Sequence, residues 1–298
     1  MKKIALALFT LTLVILIVTP SMKPKKLEKI LLPDLNLTDI AVIERTSPTE
    51  GKVTLFYDQN TRIWRVKELD GYPAYSERIR EVLYGISTLQ PMGLRTANKE
   101  RYAELGLDTA KAQHVVLADS SGKVFADLWF GNITVDEATT FRAIYVRKDG
   151  EDQTYSVIPG IDVSGYKEQF AFPFLTNFQD DSIKELKFFA KGKEVKVRKN
   201  MMAGFMKDLD FITVKKDTGE KSDTVIRFVM NDLFDVNFTY LSMNDGNWIR
   251  IEIVPTSTAL KDHVSTLVKA LTAKHSGYVY KIPLSKNDMI QSLMKRAK

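Results

Sequence analysis

The sequence predicts an α+β protein: an N-terminal membrane helix followed by two mixed domains, each a mostly antiparallel sheet with packed helices. Three observations carry this. Short segments alternate apolar and polar residues and are separated by Gly, Asn and Asp turns, the pattern of hairpins. Between them run stretches with apolar residues at helical spacing. A fifteen-residue apolar run, Ile4 to Val18, is broken only by Thr10 and Thr12 and follows Met1-Lys2-Lys3.

The chain has 298 residues and a net charge of +6, a length that suits about two domains. The charge is uneven. Residues 1–29 hold six lysines (Lys2, Lys3, Lys23, Lys25, Lys26, Lys29) against one acid, Glu28, so the remainder is close to neutral. A nucleic-acid-binding body would cluster its basic excess on the folded domain, so that class is excluded. A basic N-terminus suits contact with anionic lipid. Residues 1–21 read as a signal anchor or a cleaved signal peptide. No A-x-A site follows the run, which favours the anchor. Residues 22–35 form a basic connector in which Lys25 to Leu32 begins a short amphipathic helix. This placement puts the body outside the cytoplasmic membrane of a bacterium. There is no cysteine, which removes disulfides, thiol chemistry and cysteine metal sites. Sequons at Asn36, Asn132 and Asn237 would matter only in a glycosylating pathway.

The first domain, 36–165, opens with a strand over Thr38 to Glu44 and a turn at Ser47–Gly51. Val53, Leu55 and Tyr57 give the next strand. Asp58-Gln59-Asn60 turns it, and Ile63 to Val66 completes a hairpin. Gly71-Tyr72-Pro73 breaks it. Ile79, Val82, Leu83 and Ile86 then form one helical stripe. A short helix over Thr96 to Leu105 is closed by Gly106. Hairpins follow at His114–Ala118/Lys123–Phe130 and Phe141–Arg147/Gln153–Ile158. Residues 166–181 are an aromatic linker holding Phe170, Phe172, Phe174 and Phe178. These four either join the domains or mark a partner surface.

The second domain, 182–298, has a hairpin at Ile183–Phe189/Glu194–Arg198 and a methionine-rich segment at Asn200–Phe211. Strands follow at Thr224–Met230, Val236–Ser242 and Trp248–Val254. A helix at Thr258–Ala273, a strand at Tyr278–Ile282 and a helix at Lys286–Lys295 complete it. Val236, Phe238 and Tyr240, then Asn244-Asp245-Gly246, Trp248 and the Val264, Leu267, Val268, Leu271 stripe echo residues 53–89. Either the chain holds a divergent repeat or it holds two unrelated units of one plain type. Trp248 is out of phase with Ile249, Ile251 and Ile253, whereas Trp64 is in phase with Val66.

The search for chemistry returns little. His114, His263 and His275 fall in no metal-ligand spacing. There is no G-x-S-x-G, Walker lysine loop or G-x-G-x-x-G. Ser120-Ser121-Gly122-Lys123 lies across a hairpin turn. Asp180-Asp181 and Asp208/Asp210 lack the ligand count of a calcium loop. No catalytic residue, metal or cofactor is therefore expected. Trp64, Trp129 and Trp248 sit on strands, where they either fill the core or stack on sugars.

Several blocks resemble one family in order: Tyr72-Pro73-Ala74, Arg101 to Leu107, Val116 to Lys123, Tyr145-Val146-Arg147 and Gly277 to Pro283. Together they are similar to the domain of unknown function 4340, over about Leu31 to Pro283. Tyr75 departs from the acidic helix start of that pattern, with Ser76 as the alternative cap. The resemblance implies a bacterial envelope protein with an N-terminal membrane segment. Some such proteins accompany gliding-type ABC transporter auxiliary components. It brings no catalytic residues. The expected function is a non-enzymatic, membrane-anchored accessory or binding component with a protein partner in the envelope, such as an ABC permease. A carbohydrate- or peptidoglycan-binding module and a carboxylate-dependent hydrolase are the alternatives.

Overall fold

The computed structural model describes residues 28–135, 140–258 and 260–296. The first half is a nine-stranded sheet. Its strands are β1 (Val42–Ser47), β2 (Gly51–Asp58), β3 (Ile63–Val66), β4 (Tyr72–Pro73), β5 (Gln90–Leu94), β6 (Gln113–Ala118), β7 (Val124–Val135), β8 (Arg142–Lys148) and β9 (Thr154–Ile158). Their order is β4-β3-β2-β1-β6-β7-β8-β9-β5. Two meanders thus meet at β1, and β5 returns to the far edge beside β9. Helix α1 (Ser76–Ser87) buries Ile79, Val82, Leu83 and Ile86 against this sheet.

The second half is a seven-stranded sheet of β10 (Ile183–Ala190), β11 (Lys193–Val195), β12 (Thr213–Lys216), β13 (Val225–Met230), β14 (Phe234–Met243), β15 (Gly246–Pro255) and β16 (Tyr278–Lys281). The order is β11-β10-β13-β14-β15-β16-β12. Helix α2 (Asp262–His275) and helix α3 (Leu284–Arg296) bury Val264, Val268, Ile290 and Leu293 in the same core. Every strand pair in both sheets is antiparallel.

The expected class needs correction. Strand dominates: sixteen strands stand against three α-helices among the described residues. Each apolar stripe that spacing assigns to a helix is a single short helix packed on one sheet, so the sheets alone set the architecture. None of the described helices is long and apolar enough to cross a membrane. The apolar run behind the expected membrane helix and signal anchor lies outside the described residues. Residues 28–32 of the connector are bent and not helical. At α1 the N-cap position is Tyr75, without a side-chain cap, and Ser76 is the first helical residue.

The two halves share one continuous apolar core. The 166–181 segment is hydrogen-bonded to both. Tyr75 N–H donates to the Phe170 carbonyl at 2.8 Å, and Phe172 N–H donates to Pro73 at 3.2 Å. On the other side, Leu175 N–H donates to Leu209 at 2.6 Å, and Leu209 N–H returns to Thr176 at 3.0 Å. Tyr72, fully buried, meets Phe211, Tyr278 and Tyr280 edge to face across the junction. Lys216 N–H donates to the Asp70 carboxylate at 3.0 Å.

The two stretches compared in sequence fold as β2–β3 followed by α1 and β14–β15 followed by α2. The strand after the helix differs. β16 pairs beside its own hairpin, whereas β5 pairs with β9 at the opposite edge. The tryptophan phases also differ as their spacing predicts. Trp64 packs with the main core, while Trp248 joins Leu241 and Val279 in a separate cluster.

Candidate binding groove

β15 is ten residues long and pairs with β14 along its whole length. On its other edge β16 covers only Trp248, Ile249 and Arg250. Among the described residues, no strand pairs with the far edge of Ile251 to Pro255. Beside that edge opens a cavity of about 790 Å³, lined in part by Thr239, Ile251, Glu252 and Ile253. One wall is the C-terminal end of α2, with Thr272, His275, Ser276 and Gly277; the other is the 217–222 loop.

The loop is fixed by charge and backbone. Asp217 N–H donates to Gly277 O at 2.9 Å. The Asp217 carboxylate takes Arg250 in a two-point pair, through Nε and through Nη2 at 2.8 Å. Arg250 Nη2 also donates to Glu220 O at 2.9 Å. The Arg250 hydrogen bond holds the Asp217 carboxyl below its usual range and raises the guanidinium in turn. Asp217 is therefore a fixed carboxylate and no proton donor.

His275 lines the groove but faces the core and is 1% exposed. Nε2 donates to the Leu175 carbonyl at 3.1 Å, so Nδ1 accepts from Tyr280 Oη at 2.9 Å. Burial, with the neighbouring Lys274 charge second, pushes the ring down to about 3. It stays neutral and binds no metal in this arrangement. The Lys274 ammonium lies 4.2 Å over the Phe172 ring and donates to the Phe174 and Leu175 carbonyls. Burial lowers it to about 8. Both shifted groups thus hold the junction between the halves.

The residues singled out in sequence do not converge. Phe170 is buried, with the guanidiniums of Arg45 and Arg78 at 5.8 and 5.7 Å from its centroid. Phe178 packs on Phe234 at 5.9 Å. Phe172 and Phe174 remain exposed. Trp64 meets Tyr57 edge to face at 5.7 Å. Trp248 is buried beneath the Lys215 ammonium at 4.1 Å. Trp129 lies between cross-strand neighbours, His114 stacked at 4.2 Å and Arg147 at 5.4 Å. Asp180 accepts from Gly204 N–H at 2.9 Å, 24 residues along the chain.

Two features were not read from the sequence: the partner of His114, and Arg45. His114 Nε2 bonds Asp127 at 2.6 Å, a pairing made by the register of β6 on β7. Arg45 points into the core of the first sheet, between Ile43 and Ser47. The alternation Ile43, Arg45, Ser47 was the available signal, lost because the expected strand ended at Glu44. Among the described residues no cluster of three metal-ligating side chains occurs.

Fold and groove together define a protein of two joined antiparallel sheets, with a half-open strand edge beside a polar cleft. The sequence profile described as domain of unknown function DUF4340 matches residues 64–221, just over half of the chain. The chain belongs to the DUF4340 family. Neither the curated proteins nor the solved structures yield a match.

Proposed function

We propose that this chain is a non-enzymatic accessory component of a bacterial envelope system, with its body outside the cytoplasmic membrane. There it holds a protein partner of the kind an ABC transport system would supply. One observation carries the reading: the edge of Ile251 to Pro255, which no described strand pairs, beside the 790 Å³ groove. A bare strand edge offers N–H and C=O groups to an extended segment of another chain, and natural folds seldom leave one accessible without a use. The groove walls are held by the Arg250–Asp217 pair, so the site is preorganised.

Support for the envelope comes from the basic and apolar sequence of residues 1–21 and the absence of cysteine. Support for a non-catalytic role is the state of the shifted groups, which are occupied in holding the junction. The test is site-specific photocrosslinking in intact cells from Glu252 and Thr272. Both positions should trap one and the same envelope protein. Adducts that differ between the two positions, or none, would count against the reading.

A further inference from the structure

The alternation of β15 decides what its open edge accepts. Thr256 N–H donates to the carbonyl of Leu233, just before β14, at 2.9 Å. Backbone groups along a strand face its two edges in turn. Even-numbered positions of β15 therefore bond β14, and odd-numbered ones face the other edge. The last pair with β16 is at Arg250. Beyond it Ile253 offers both its N–H and its C=O, which have no hydrogen-bond partner among the described residues. Pro255 offers a carbonyl alone and closes the row.

Side chains alternate as well. Ile251 and Ile253 point into the core, 2% and 8% exposed. Glu252 is exposed on the opposite face, with Arg250 and its cross-strand neighbour Thr239. Arg250 is taken by Asp217 in the two-point pair. Glu252 has no hydrogen bond or ion pair of its own among the described residues. Glu220 also lines the groove, and a hydrogen bond from the Thr218 hydroxyl holds its carboxyl below the usual range. The lining sets Asp217, Glu220 and Glu252 against Lys221 and Arg250, which leaves one negative charge over.

We propose that the segment added to this edge carries a lysine or arginine opposite Glu252, with an apolar residue on each side of it. The inference rests on the docking reading above and names the chemistry of the docked segment. Main-chain pairing places the segment, and alternation sorts its side chains. The residue opposite Glu252 projects on the same face, where opposite charges stabilise a cross-strand pair and like charges oppose it. Its two neighbours project on the Ile251 and Ile253 face, the face that packs with Val264 and Val268 of α2. Apolar side chains there continue the core, whereas a charged one would lie against buried isoleucine.

Two blocked synthetic peptides test this on the full chain in detergent, one Thr-Val-Lys-Val-Thr and the other Thr-Val-Glu-Val-Thr. Hydrogen exchange at Ile253 N–H reports pairing at the edge, and titration gives each affinity. The lysine peptide should slow that exchange and bind about fivefold tighter than the glutamate peptide. In Glu252→Lys, an exposed position, the order should reverse. Equal affinities with Ile253 protected would overturn the charge inference and leave the docking reading standing. An unchanged order in Glu252→Lys would do the same. Exchange at Ile253 that neither peptide slows would overturn both.

Discussion

His275 on α2 donates through Nε2 to the carbonyl of Leu175, at 3.1 Å and one hundred residues away in sequence. One buried imidazole thus ties the last helix but one to the segment between the sheets, while its other nitrogen takes the Tyr280 hydroxyl.

The sign of the resulting pH dependence follows directly. The folded ring titrates at about 3 and the unfolded one near 6.5. The folded state therefore disfavours the charged form. Its stability is full above pH 6.5 and is lost as pH falls toward 3. His275→Gln should flatten that part of the pH profile, at a cost of about 1–3 kcal/mol at neutral pH. Urea unfolding between pH 4 and 8 measures both. A profile unchanged by the substitution would contradict the assignment.

Gly131 approaches the end of the 3-10 helix Lys99–Leu105 so closely that an added Cβ would fall on the Leu105 carbonyl oxygen. Gly131→Ala should cost upwards of about 2 kcal/mol, because backbone has to move. Gly122, unlike Gly131, has a positive φ, +89°, and nothing lies within 4 Å of its added Cβ. Gly122→Ala should cost only about 1 kcal/mol, the conformational term. Thermal denaturation of the pair separates crowding from backbone preference.

The Arg250–Asp217 pair is nearly buried, with 19% and 16% of the side chains exposed. Asp217→Asn keeps the shape and removes the charge. It should lower stability by about 1–2 kcal/mol. Hydrogen exchange should quicken in 217–222 and not in β1–β4. Exchange rising evenly through the chain would mean the pair does not anchor that loop.

Much of the fold was legible because hairpins announce themselves. β6–β7, β8–β9, β13 and β14–β15 each have the alternation and turns that spacing reads. β5 was hidden by Pro91 and Gly93, which interrupt a strand pattern; it is an edge strand with a register shift at those residues. β12, Thr-Val-Lys-Lys, is too short and polar to stand out, and its lysines suit an edge. The site was less legible. The groove exists because β16 stops at Arg250, a matter of pairing length that no local pattern encodes. Likewise Phe170 and Phe172 lie two residues apart in one aromatic cluster, yet one is buried and the other exposed.

The central claim is that the uncovered edge of β15 is where a partner docks. Photocrosslinker placed at Glu252, at Thr272 and, as a control, at Glu194 of the distant β11 edge tests it in one experiment. The account predicts a single shared envelope adduct from the two groove positions and none from Glu194. Equal capture from all three, or capture from Glu194 alone, would contradict it.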